Sequence, residues 1–115
     1  MGDRSNIAIK YRSGETIYLY GHWLGKENLD IVQEAIAEGH RLEDEAYFAR
    51  ILFSKMVRND IFGTTGFGIA PYMPDNDYGN PLVTVDFSQN PPTVEVEGWD
   101  NPVPLTEAGS LLESA

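Results

Sequence analysis

The stretch "TIYLYGHWLGKENLDIVQEAIAEG", Thr16 to Gly39, changes period halfway along. Its first five residues alternate, so Ile17 and Leu19 share one face of a strand while Tyr18 and Tyr20 share the other. After the turn "GHWLGKEN", Leu29, Val32, Ala35 and Ile36 recur at helical spacing. Asn28 is placed to cap that helix, and Gly39 stands where an αL residue would end it. A strand running into an amphipathic helix needs a partner strand, and "NIAIKY", Asn6 to Tyr11, supplies one. The intervening "RSGE" is a four-residue hairpin loop.

Working outward, a second helix is expected from about Asp44 to Asn59. Glu43 to Glu45 suit the positive end of its dipole, and Lys55 and Arg58 the negative end. After Asp60 the period returns to two. "GFGIAPYM", "LVTVDF" (Leu82–Phe87) and "TVEVEG" (Thr93–Gly98) read as strands joined by "PDNDYGNP" and "SQNPP". The order β-β-α-α-β-β-β segregates strands from helices. It predicts an α+β domain, an antiparallel sheet of about five strands with two helices on one face. Residues 1–98 are expected to form this domain. Residues 99–115, with Pro102 and Pro104, would be a partly flexible extension anchored at Trp99, and "LTEAGSLLESA" could close one helical turn.

Composition limits the chemistry. The chain has 115 residues, no cysteine and a formal charge of −10. One core is the expectation at this length, and thiol nucleophiles, disulfides and cysteine-ligated metals are excluded. "MGDRSNIAIKY" carries Asp3 and no apolar run, and no stretch of about 18 apolar residues occurs anywhere. The expectation is a soluble, cytoplasmic protein that does not enter a membrane. All eight Lys and Arg lie between Arg4 and Arg58, whereas residues 59–115 carry nine acids and no base. That balance disfavours direct nucleic-acid binding, which needs cations to neutralise phosphates.

Candidate sites are few. His22 and Trp23 sit at a strand end beside Tyr20, where an imidazole and an indole could grip a planar or anionic ligand. The alternative is that Trp23 closes the sheet–helix corner while His22 caps backbone groups, the commoner use of large aromatics. On the second helix Tyr47, Arg50, Ser54 and Arg58 recur at spacings of three, four and four. Their arginine forks could read phosphate oxygens, or the stripe could be an ordinary solvated face. "GTTGFG" places Gly66 and Phe67 in a glycine-rich loop. It lacks the Lys-Ser/Thr pair of a phosphate loop and leads into a strand. "DNDYGN", Asp75 to Asn80, begins like a calcium loop, but Gly79 falls one position early and Asp86 stands where a glutamate is needed, so no metal is expected. His22 and His40 form no zinc-type spacing, and no nucleophile, base and orienting residue assemble, so no catalytic residue and no cofactor is assigned.

Taken in order, "GDRSN" (2–6), "YLYGHW" (18–23), "AYFARILFSKMV" (46–57), "TGFGI" (65–69), and "DND" (75–77) followed by "PLVTVDF" (81–87) resemble a group of small proteins encoded by tailed bacteriophages of actinobacteria. The resemblance spans about residues 2–97. It implies an accessory protein acting in the bacterial cytoplasm, of a kind often directed against host defences, and it brings no reaction or cofactor. Two binding functions are therefore expected. One is sequestration of a small anionic or nucleotide-like ligand through Tyr20, His22, Trp23, Tyr47, Arg50, Ser54, Arg58, Gly66 and Phe67. The other is an acidic module that blocks a basic host protein, as an inhibitor or nucleic-acid mimic. Exposed sheet edges also make a homodimer an expectation.

Overall fold

The computed structural model describes residues 2–109. The chain runs β1 (Ser5–Lys10), β2 (Thr16–Gly21), α1 (Glu27–Glu38), α2 (Glu45–Met56), β3 (Phe67–Ala70), β4 (Val83–Asp86), β5 (Thr93–Val96) and β6 (Val103–Pro104), then a short 3₁₀ turn at Leu105–Glu107. It is an α+β domain with six strands rather than five, in the order β3-β2-β1-β4-β5-β6. Every pairing is antiparallel except β1 with β4, where Ile7 lies beside Val83 and Ile9 beside Val85.

That parallel pair follows from the connections. β3 adds to the outer edge of β2, so the chain must cross two strands to reach the free edge of β1. Residues 71–82 make this crossing on the sheet face that the helices leave open, where Pro74, Asp75 and Asn76 receive the side-chain amide of the buried Asn6 of β1. On the opposite face Ile7, Ile9, Leu19, Val83, Val85, Val94 and Val96 form one core with both helices. Alternation along each strand puts these apolar residues on a single side.

α1 buries Leu29, Val32, Ala35 and Ile36, as their spacing requires, and ends at Gly39 (φ 72°), whose N–H donates to the Ala35 carbonyl at 3.3 Å. Its cap is Lys26 rather than Asn28. Asn28 lies inside the first turn and is wholly buried, because its amide is used elsewhere. α2 starts at Asp44, whose carboxylate accepts the Tyr47 N–H at 3.2 Å. It stops at Met56, leaving Arg58 in the following turn. Beyond Trp99 the chain packs back onto the domain. β6 pairs with β5, and Leu105 and Ala108 enter the core. The possible final helical turn lies partly outside the described residues, which contain no helix long and apolar enough to cross a membrane.

Candidate functional site

The turn "GHWLG" holds its shape through both glycines. A Cβ on Gly21 would meet the Leu24 side chain at 2.6 Å, and one on Gly25 would overlap the Asp3 carboxylate. Gly25 also adopts φ 55°, a conformation L side chains rarely take. Leu24 drops into the core, which leaves the two residues before it at the surface. Trp23 is 65% exposed, and the half-buried His22 ring stands edge-on to it at 5.1 Å between centroids. His22 is fixed from three sides. Its N–H donates to the Gly66 carbonyl at 2.8 Å, its carbonyl accepts the Asp3 N–H at 2.8 Å, and its Nδ1 shares a hydrogen bond with the Tyr20 hydroxyl at 2.9 Å.

Beside this turn lies a polar knot that spacing alone does not reveal. The Arg4 guanidinium grips Asp77 through Nε (3.2 Å) and Nη2 (3.1 Å), and its Nη1 reaches Asp75 at 3.4 Å. The Arg4 main-chain N–H donates to the second Asp77 oxygen at 2.8 Å, and the Asp77 N–H returns to the Arg4 carbonyl at 2.9 Å. Hydrogen bonding from the Arg4 main chain and then its side chain holds the Asp77 carboxyl below its ordinary range. The Asp77 partnership raises the Arg4 pKa. Burial, helped by Asp75 and Asp77 and opposed by Arg4, pushes the Tyr20 phenol up. The carboxylates of "DNDYGN" thus face an arginine of the same chain.

The nine residues singled out from sequence fall into three groups. Tyr20, His22 and Gly66 join at the strand end just described. Trp23, Arg58 and Phe67 line one cleft of about 250 Å³ together with Lys55, Glu27 and Asp60. Tyr47, Arg50 and Ser54 lie exposed along α2. Tyr47 is about 13 Å of helix rise from Met56, the last residue of α2 before the turn that carries Arg58, and its ring is covered by the Arg41 guanidinium at 4.8 Å. The two cations of the cleft are already partnered. Lys55 Nζ bonds Glu34 (2.8 Å) and Glu38 (2.7 Å), and Arg58 Nη1 bonds the same Glu34 oxygen at 3.1 Å. Burial works against the charge on Lys55, but the two glutamates outweigh it and raise its pKa.

Two further surfaces stand out. On the open face of the sheet, β4 and β5 present Thr84, Asp86 and Glu95, and Glu97 follows just past β5; Glu95 and Glu97 border a shallow hollow with Leu82 and Gly98. Among the described residues none of these three acids joins an ion pair. At the β3 end of the sheet, Ile69 is exposed on a strand whose outer edge has no partner among the described residues, and Ile61, Phe62 and Tyr72 are exposed in the segments that flank it in sequence. Sequence reasoning gave Arg4, Lys55 and Asn28 no part in a site, reading Lys55 as a helix-dipole partner and Asn28 as a cap. A lone arginine in "GDRSN" and a polar residue in a helical turn carry no periodic signal, and only the fold shows what they reach. The chain matches no protein-family model, no curated protein and no solved structure.

Proposed function

We propose that this chain is a non-enzymatic accessory protein, acting in the bacterial cytoplasm as its resemblance implies, that blocks a basic host protein with the acidic outer face of β4 and β5. The observation that supports this is the unequal state of its charges. The cations of the cleft and of the turn beside it, Arg58, Lys55 and Arg4, are held by carboxylates of the same chain, and Arg50 lies apart from both on α2. An anionic ligand would have to displace those carboxylates, and Glu27 and Asp60 in the cleft would repel it. Among the described residues Asp86, Glu95 and Glu97 join no ion pair: Asp86 accepts only from Ser88 and Glu97 from the Leu82 N–H, so a basic surface can meet all three without breaking an existing ion pair.

One observation favours the sequestering alternative. Trp23, Phe67 and Arg58, far apart in sequence, do share a cleft, and an indole beside a phenyl ring suits a planar ligand. One experiment separates the two. The protein is purified from a bacterial host at low salt and examined by native mass spectrometry, alongside the Glu95→Lys/Glu97→Lys variant. A basic polypeptide that leaves as salt rises, and that the variant does not carry, supports the acidic face. A small molecule carried equally by both proteins would refute that reading and support the cleft.

A further inference from the structure

We infer that the free edge of β3 is a self-association site, where two copies of this chain join antiparallel and extend their sheets into one. The two ends of the sheet are unlike. The β6 end is blunted, being two residues long and ending in Pro104, which is how natural sheets suppress pairing. The β3 end has no such protection. Residues Phe67–Ala70 carry no proline and no charge, and among the described residues their outer edge has no partner.

Alternation fixes which groups face outward. The Gly66 carbonyl accepts the His22 N–H, so Gly66, Gly68 and Ala70 turn their main-chain groups toward β2. Phe67 and Ile69 therefore turn theirs to the open side. A two-fold axis at Gly68 sets Phe67 of one copy opposite Ile69 of the other, twice, and forms about four main-chain hydrogen bonds. Any other symmetric register leaves Phe67 or Ile69 unpaired or sets it against Pro71, which has no N–H. In this register an aromatic side chain meets a β-branched one on the helix side of the sheet, a favourable cross-strand pair. Phe67 and Ile69 lie on that side because their register partners are Gly21 and the buried Leu19. At the axis Gly68 meets Gly68, where strands come closest, and a Cβ built there meets nothing within 4 Å of its own chain.

Charge selects a second copy as the occupant. A chain of charge −10 repels itself over most of its surface, so copies can meet only where charge is missing. Residues 61–74, "IFGTTGFGIAPYMP", form the longest uncharged run in the sequence and carry the β3 edge. The run also supplies apolar area, with Phe62 96%, Ile61 65% and Ile69 58% exposed. Flanking charges more than about 10 Å away are screened at physiological salt.

Analytical ultracentrifugation of the full chain over a range of concentrations, at low and high salt, tests the site together with cysteine crosslinking. Gly68→Cys introduces the protein's only thiol at the axis, while Ser88→Cys places one in the exposed turn after β4. The expected results are a dimer that salt does not dissociate and rapid disulfide formation by Gly68→Cys but not by Ser88→Cys. Ile69→Lys should weaken the dimer by about a hundredfold or more, since two isoleucines lose their burial. Its unchanged circular dichroism would show that the monomer still folds. A chain that stays monomeric at 100 µM or above, or a Gly68→Cys protein that crosslinks no faster than Ser88→Cys, overturns the inference. Salt-insensitive self-association is also separable from capture of a basic partner, which salt should abolish.

Discussion

Replacing Asn28 should test how the helix layer is tied to the sheet. Its side chain is fully buried, and its amide nitrogen donates to the Asn6 carbonyl at 3.2 Å and the Pro81 carbonyl at 2.7 Å. One side chain therefore bridges α1, β1 and the end of the crossing segment that leads into β4. Asn28→Ala leaves two carbonyls without this donor, each costing about 1–1.5 kcal/mol, less about 0.5 kcal/mol for the better helix propensity of alanine. The expected loss is roughly 1.5–2.5 kcal/mol, or about 8 °C in melting temperature for a chain of this size. Asn28→Asp keeps the shape but sets a carboxylate oxygen against those two carbonyls. Its place in the first helical turn returns no more than about 1 kcal/mol, so the burial of an unpaired charge dominates. At neutral pH this variant should be less stable than Asn28→Ala. The sign with pH is definite: burial raises the folded-state pKa of the new acid, so its deficit opens as pH rises through about 4 and is relieved below it. Urea titrations of the three proteins at pH 4 and 7 measure this. An Asn28→Asp protein as stable as the unaltered chain at pH 7, or an Asn28→Ala loss under about 0.5 kcal/mol, would show that the bridge does not hold the layers.

Other consequences follow from the same structure. Phe48 is fully buried and stands edge-on to Phe87 at 6.0 Å, so Phe48→Ala should cost about 3–5 kcal/mol in denaturant unfolding. Asp77 and Glu34 both have lowered pKa values, held there by Arg4 and by Lys55 with Arg58. Their contributions are complete above the ordinary carboxylate range and are lost as pH falls through the lowered folded values, below about 4. Asp77→Asn should therefore flatten the acid limb of the stability profile, and an unchanged limb would remove Asp77 from it. Glu95→Lys with Glu97→Lys should leave the melting temperature within a few degrees of the unaltered chain, because both side chains are exposed. A large loss would mean that the acidic face is part of the fold rather than a free surface.

How much of this was legible beforehand depended on the kind of signal. Periodicity located both helices and the strands at Ile7–Ile9, Ile17–Leu19, Val83–Val85 and Val94–Val96, because burial on one face writes itself into alternation. It could not show that β1 and β4 run parallel, since pairing partners are chosen by the path of the chain and not by either strand alone. β6 escaped because two residues ending in proline carry no pattern. Asn28 looked like a cap because asparagine favours that position, yet tertiary hydrogen bonds claimed it within the first turn, two residues past the cap. Among the candidate site residues, Trp23, Arg58 and Phe67 converge while Tyr47, Arg50 and Ser54 stay on the far stretch of α2. A stripe on a helix shows which residues share a face, but not what that face meets.

The polar motifs are better accounted for by the topology than by chemistry. A connection that crosses two strands lies against the sheet over part of its length, and its main chain must find partners there. Asn6 donates from β1 to the Pro74 and Asp75 carbonyls and to the Asn76 side chain at 3.1–3.4 Å. Asn80 donates to the Asp3 carboxylate at 2.8 Å and to the Arg4 carbonyl at 3.0 Å, and Asn76 donates to the Asn80 carbonyl at 2.8 Å. Together with the Arg4–Asp77 fork, these bonds occupy Asp3, Arg4 and Asn6 and the "DND" triplet in fastening residues 74–80 against β1, while Ser5 donates to the Gly25 carbonyl. Residues that resemble a ligand set thus have an internal use. The surfaces with the least internal claim on them are the acidic face of β4 and β5 and the uncharged edge of β3. They lie toward opposite ends of the sheet, so one could hold a basic partner while the other holds a second copy. Such a dimer would present two acidic faces related by the two-fold axis, and a partner with two basic sites could then bind far more tightly than either face alone allows.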